Sequence, residues 1–352
     1  MRKLHSITAN GTVFTARTGE IVLDAALMQG VDFPHDCRAG RCGTCLATVV
    51  RGRPLGGDCP QPGKVYACQA RALSDLELQF EVLPPVRSVR ARVGSLVERG
   101  PEVIEVGLTL DEPIHYLPGQ YCTFEFRGFP RRSFSPTAPA DFSVPRGDMT
   151  LHIKRVRGGR VSTALGERIG IGHRLRVAGP YGSAFYREAL KRRLVLVAGG
   201  TGFAPMLSVL LAALLDDRKR EIVLIVGVRN AGQLYMMEGL VKLVRFSDVK
   251  LIVATEDMED CDDIFRRGRP TDYLPQLGTD DLVFAAGAPA MVTRVARAAA
   301  DADAEFHCDP FEASGDGQQS GWLARTIEHF TAARVAKPTR DLGDRSPPLF
   351  AE

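Results

Sequence analysis

Hydrophobic and polar positions change rhythm along this chain. Between residues 4 and 17 they alternate, with Ile7 and Ala9 on one side of Asn10-Gly11 and Thr12 and Phe14 on the other. A period of two predicts strands, and Asn-Gly tolerates the positive φ of a type I′ turn, so a hairpin is expected. Residues 20–29 read as a short helix closed by Gly30, and 47–50 and 76–83 supply further strands. The stretch 83–87, LPPVR, is a stiff linker that marks a first boundary. From residue 89 short β-branched runs separated by turns take over, at 91–97, 103–110, 121–126, 150–156 and 174–177, the pattern of a small antiparallel barrel. From Lys191 onward, continuous apolar runs at 194–198, 222–226, 251–254 and 282–285 alternate with helical stretches, the mark of a parallel sheet covered on both faces. The expected fold is multidomain, α+β followed by α/β, with domains at 1–84, 88–190 and 191–312. In the remainder, 313–352, Leu323, Ile327, Phe330 and Arg334 share one helical face, so 322–335 reads as an amphipathic helix that Pro338 stops.

A length of 352 residues allows two or three separate cores. Composition is that of a soluble globular protein, at 45% hydrophobic and 25% charged. The net charge of +3 is too small to argue for nucleic acid or a membrane surface. The first residues turn polar before a signal peptide could form, and the longest apolar run, 206–215, is too short to cross a bilayer. Eight cysteines without a secretory signal argue against a disulfide framework and for a reducing compartment. A cytoplasmic chain is expected.

The cysteines carry the chemistry. Cys37, Cys42 and Cys45 stand in a C-x4-C-x2-C spacing and Cys68 follows, the plant-type pattern for a [2Fe-2S] cluster. Ala39, Gly40, Gly43 and Thr44 keep the loop small, so backbone N–H groups can approach the cluster sulfurs. Zinc is the competing metal, against which stands the lack of a second short cysteine or histidine pair. Cys59 is an alternative to Cys68 as the fourth ligand.

Two further stretches suit phosphates. Gly158 and Gly159 precede Val161, Ser162 and Thr163, and the pattern predicts a helix N-terminus whose free N–H groups face a diphosphate. Gly200-Thr201-Gly202 followed by Pro205 forms a G-x-G-x-x-P run after an apolar strand; its glycines let the backbone approach a pyrophosphate, and Pro205 opens a helix.

Residues 1–84 resemble a plant-type ferredoxin, a β-grasp fold, and the rest resembles the ferredoxin-NADP reductase superfamily. That order is similar to the reductase components of multicomponent ring-hydroxylating oxygenases. The resemblance selects Cys68, in Ala67-Cys68-Gln69-Ala70, over Cys59. It implies FAD rather than FMN, with the Arg132 guanidinium on the pyrophosphate and Phe134, where the family usually has tyrosine, stacked on the isoalloxazine. Ser135 would reach flavin N5. Ile153, Lys154, Val156 and the 158–163 stretch would complete the flavin site. Arg229 and Asn230 would meet the adenosine ribose. NADH is the expected donor, and Arg229 leaves NADPH as the alternative. Gly287, Pro289 and Met291 would flank the nicotinamide, with Ala286 where the family typically has cysteine. Phe311 would cover the flavin face or belong to the core. Ser135 and Phe311 are the catalytic candidates.

The implied function is an electron chain from NADH through FAD and the cluster to a terminal oxygenase component or an intermediate ferredoxin. A sugar-deoxygenation dehydratase is an alternative client, and a redox-sensing iron-sulfur flavoprotein the alternative class. A monomer is expected. Arg38, Arg41, Arg51 and Arg53, in or near the cluster loop, would meet an acidic patch on the partner or serve as a solvated surface that keeps the domain soluble.

Overall fold

The first sheet follows from the N-terminal alternation. The computed structural model describes residues 3–311 apart from 60, 62 and 260; the expected 322–335 helix and the rest of 313–352 lie outside the described residues. Strands β1 (Leu4–Ala9) and β2 (Thr12–Arg17) pair antiparallel through Asn10 and Gly11, both at positive φ. Helix α1 (Val22–Met28) is shorter than 20–29, because Ile21 is extended and bridges Arg71. It buries Val22, Leu23, Ala25 and Ala26 with Ile7, Phe14 and Leu78. Strands β3 (Leu46–Arg51), β4 (Lys64–Tyr66) and β5 (Leu76–Phe80) complete a mixed sheet in the order β2-β1-β5-β3-β4. β4 went unpredicted because three residues are too few to show a period.

The second sheet is antiparallel throughout. It comprises β6 (Arg87–Glu98), β7 (Val103–Leu110), β8 (Tyr121–Phe126), β9 (Arg132–Phe134), β10 (Met149–Lys154) and β11 (Arg174–Tyr181), in the order β10-β7-β6-β11-β8-β9. A bridge from Thr137 to Thr150 brings its two edges together, so the sheet curls into a nearly closed barrel around Val106, Leu108, Phe124 and Leu151. The helix expected after Gly159 does not form. Residues 157–168 run through successive turns apart from one bridge residue, with a single i to i−4 backbone bond, Thr163 N–H to Gly159 O. Gly166, at φ 86°, turns the chain back before a second helical turn could close.

The third sheet is wholly parallel and carries its ligand-facing loops at one end. Its elements are β12 (Arg193–Gly199), α2 (Phe203–Asp216), β13 (Ile222–Gly227), α3 (Met237–Phe246), β14 (Lys250–Thr255), β15 (Phe265–Arg267), β16 (Asp281–Gly287), α4 (Pro289–Asp301) and β17 (Glu305–Pro310). Strand order is β15-β14-β13-β12-β16-β17. The chain leaves β12 toward one edge and later returns to its other side at β16. That reversal creates a crevice beyond the carboxyl ends of β12 and β16, where open α/β sheets bind ligands. A 3₁₀ turn occupies Gly200–Gly202, so α2 begins at Phe203 and Pro205 falls in its first turn, where no N–H is missed.

A buried polar node ties the barrel to the third sheet. Arg99 donates two bonds to Glu105, at 3.0 and 3.1 Å, and pairs with Asp141 at 2.8 Å. Ala140 N–H reaches Glu105 at 2.8 Å, and the His152 ring lies 3.6 Å from it while bonding the Tyr235 hydroxyl. Burial would raise the Glu105 pKa, but His152, Arg99 and the Ala140 N–H outweigh it and hold it at about 2. A carboxyl with a lower pKa in the folded state stabilises the fold above its ordinary pKa of 4.5 and loses that contribution as pH falls toward 2. Glu105→Gln is therefore expected to cost ~3 kcal/mol at pH 7 and to flatten the stability profile between pH 5 and 2, read by urea unfolding. Parallel profiles for parent and variant would contradict this.

Candidate functional site

Helix α1 ends at Met28, and the chain then wraps into the loop that carries Cys37, Cys42 and Cys45. Cys68 approaches from the turn after β4. All four thiols are buried and adjoin one another in a run from Cys42 through Cys37 and Cys68 to Cys45. The Cys42 and Cys68 thiols push Cys37 toward the thiolate. Two backbone donors already point at sulfur, Ala39 N–H to Cys37 and Gly40 N–H to Cys68, each at 3.3 Å. Among the described residues no group of three or more such ligands is placed around a single metal ion. Four adjoining buried thiols with N–H donors on Cys37 and Cys68 suit a two-iron cluster, in which four thiolates are shared between two irons. Cys59 points elsewhere, donating to Gln61 O and Lys64 O.

The loop faces the barrel. Thr44 accepts a buried 2.9 Å bond from Gly182 N–H and donates to Cys42 Sγ at 3.2 Å. Gly43 has φ 72°, and a Cβ there would stand 2.1 Å from Ser183 Oγ. Tyr121 and Tyr181 pack with Cys37 and Cys42, and the Tyr121 hydroxyl bonds Asp36 at 2.5 Å. Burial raises Asp36 to about 6 despite that bond. Arg38 is occupied by an ion pair with Asp24, and Arg41 is half-buried in a crevice with Cys59 and Phe306. The arginines expected to greet a partner are thus partly spent on the loop itself.

The flavin candidates divide. Arg132 and Ser135 are buried at the start of β9 and just past its end, and Ser162 Oγ accepts from Val156 N–H at 3.2 Å, which pins the 158–163 turns. A Cβ on Gly158 would meet nothing within 4 Å, so the backbone at that turn is open to a ligand. A guanidinium and a turn with an open glycine are each donor types that suit a diphosphate. Other candidates turn away: Ile153 and Val161 lie in the barrel core, Phe134 packs on Phe124 there, and Lys154 pairs with Glu102 at 2.9 Å.

The nicotinamide candidates meet beyond β12 and β16. A Cβ on Gly202 would fall 2.2 Å from Ala286 O, and one on Gly287 would fall 2.7 Å from Gly199 O, so the two loops touch through backbone. Met291, in α4 behind Pro289, reaches Gly199. Arg229 is exposed just past β13, with Asn230 beside it. Phe311 N–H bonds Gly287 O at 2.8 Å, and its half-buried ring belongs to this end of the sheet.

One residue that sequence reasoning left without a role joins the two sites. Asp309, in register with Ala286, accepts a 3.2 Å bond from Ser135 Oγ. Burial lifts its pKa to about 7, against the lowering bond from Ser135. The available signal was an acid inside an otherwise buried terminal strand.

Residues 7–73 match the family of the 2Fe-2S iron-sulfur cluster binding domain, 98–186 the oxidoreductase FAD-binding domain, and 196–297 the oxidoreductase NAD-binding domain. The chain is 35% identical over 246 residues to the ferredoxin–NAD(+) reductase component of the alkene monooxygenase system of Xanthobacter autotrophicus, covering 66% of this chain and 74% of that protein. It is 32% identical to a reductase component of terephthalate 1,2-dioxygenase from Comamonas, covering 86% and 96%. Among solved structures, the Amycolatopsis cytochrome P450 reductase GcoB superposes with a TM-score of 0.62 at 27% identity, covering 86% of this chain and 98% of that one.

A carboxyl titrating at about 7 between the two nucleotide sites has a kinetic consequence. NADH-driven turnover should change through a titration near neutral pH, and Asp309→Asn should remove that titration. Its persistence in the variant would exclude Asp309 as its source.

Proposed function

The chain belongs to the family of ferredoxin–NAD(P)+ reductase components of oxygenase systems, and from that premise we propose that it passes electrons from NADH to an oxygenase component or an intermediate ferredoxin. It is an iron-sulfur flavoprotein oxidoreductase. Bound FAD accepts an electron pair from a nicotinamide and yields single electrons, which a [2Fe-2S] centre can carry.

This chain's own residues supply position. The loops at Gly199–Gly202 and Gly287–Pro289 receive the dinucleotide at the carboxyl ends of the strands. Ser135, held by Asp309, orients the flavin edge that faces the nicotinamide. Arg132 and the 158–163 turns take the diphosphate. Cys37, Cys42, Cys45 and Cys68 hold the cluster, and Ala39 and Gly40 donate to its thiolates, which favours the reduced state.

The observation that carries this reading is Thr44, which accepts from Gly182 in the flavin barrel and donates to Cys42. It aims the thiol loop at the barrel. Protein reconstituted with FAD, iron and sulfide should take up about 1.5 NADH equivalents per chain under anaerobic titration, two electrons for flavin and one for the cluster. Cys68→Ser should need only about 1 equivalent and lose the cluster absorbance, while Cys59→Ser should behave as the parent. A parent that stops at about 1 equivalent with its cluster oxidised would contradict the proposal.

A further inference from the structure

The outer face of the flavin barrel carries a concave patch. Arg90, Arg127, Arg131, Arg174 and Arg176 line it, against one carboxylate, Glu125. Pairing of β6 with β11 sets Arg90 directly opposite Arg176 and Arg92 directly opposite Arg174. Like charges in opposed cross-strand positions destabilise a sheet, and two such pairs stand side by side here. Asp111 answers only Arg90, at 3.1 Å.

The patch lies close to the thiol loop. β11 carries Arg174 and Arg176 near its start and ends at Tyr181, which packs with Tyr121 against Cys37 and Cys42. Five residues of strand separate Arg176 from Tyr181, about 17 Å. Arg38 and Ala39 form an exposed corner of the loop, and Ala39 N–H bonds Cys37 Sγ at 3.3 Å. A protein surface of ordinary interface size, about 800 Å² on each partner, would span both patch and corner.

We propose that this arginine face docks the external electron acceptor through an acidic surface and lays the acceptor's redox centre beside the thiol loop. The inference rests on the electron-transfer reading above and adds the chemistry and place of the partner. One electron passes from the reduced cluster to the acceptor, and no bond is made or broken. Concentrated positive charge raises the encounter rate with an acidic partner, and salt screens it.

The test uses the holoenzyme with NADH and two haem proteins as probes, acidic cytochrome b5 and basic cytochrome c. The parent should reduce cytochrome b5 at a rate that falls as salt rises. R174E/R176E should slow that reduction about tenfold at low salt and abolish its salt dependence. Reduction of the bound flavin by NADH should be unchanged. R127E/R131E, in the same patch, should act in the same direction, so the test survives if the first variant fails to fold. Unchanged rates with cytochrome b5 in a folded variant would overturn the proposal. So would loss of binding to duplex DNA or anionic vesicles with b5 turnover intact, which would assign the patch to a polyanion. A parent that oxidises NADH with ferricyanide but reduces neither haem protein would instead overturn the electron-transfer reading itself.

Discussion

Everything in this molecule depends on the thiol loop being fitted to the flavin barrel. Gly182 N–H is buried, and its acceptor is the Thr44 hydroxyl, whose own proton goes to Cys42. Leaving such a donor unsatisfied costs ~1–3 kcal/mol, so the contact is hard to give up once formed. Gly43 makes the fit closer, since no side chain could stand between it and Ser183. Tyr121 and Tyr181 seal the same face against Cys37 and Cys42. The carrier of single electrons is therefore seated on the flavin module by its own ligand loop.

A second junction does the same for the nucleotide crevice. Ser135 leaves the barrel and Asp309 lies near the end of the parallel sheet's last strand, and their bond ties the two sheets together. The first module also reaches the third, with Gln61 donating to Phe306 O, and the second, with Glu81 pairing with Arg187. Exposed ion pairs contribute little by themselves. The buried contacts, Thr44 to Gly182, Ser135 to Asp309 and the Glu105 node, set the geometry. Each joins modules whose cores would otherwise be independent.

Much of this was legible in the sequence because it was written in periods and glycines. Alternation around Asn10-Gly11 forecast the hairpin, and apolar runs such as 194–198 and 222–226 forecast the parallel sheet. Cysteine spacing forecast the four converging thiols. Contacts between modules were not legible: nothing near Thr44 in sequence points to Gly182, and Asp309 has no local reason to meet Ser135. The 158–163 segment misled for a local reason. Its glycines and Ser162 look like a helix start, but Gly166 returns the chain before a helix can propagate. Among the loop arginines, the pairing of Arg38 with Asp24 was likewise illegible, since it depends on how the loop folds over α1.

The most direct measurement is the rate at which an electron reaches the cluster after anaerobic mixing with NADH, followed by freeze-quench EPR in the parent and in Thr44→Val. If the loop is positioned for transfer by its bond to Gly182, the variant should fill its cluster about tenfold more slowly while its flavin bleaches at the parental rate. Equal rates of cluster reduction in the two proteins would contradict the account.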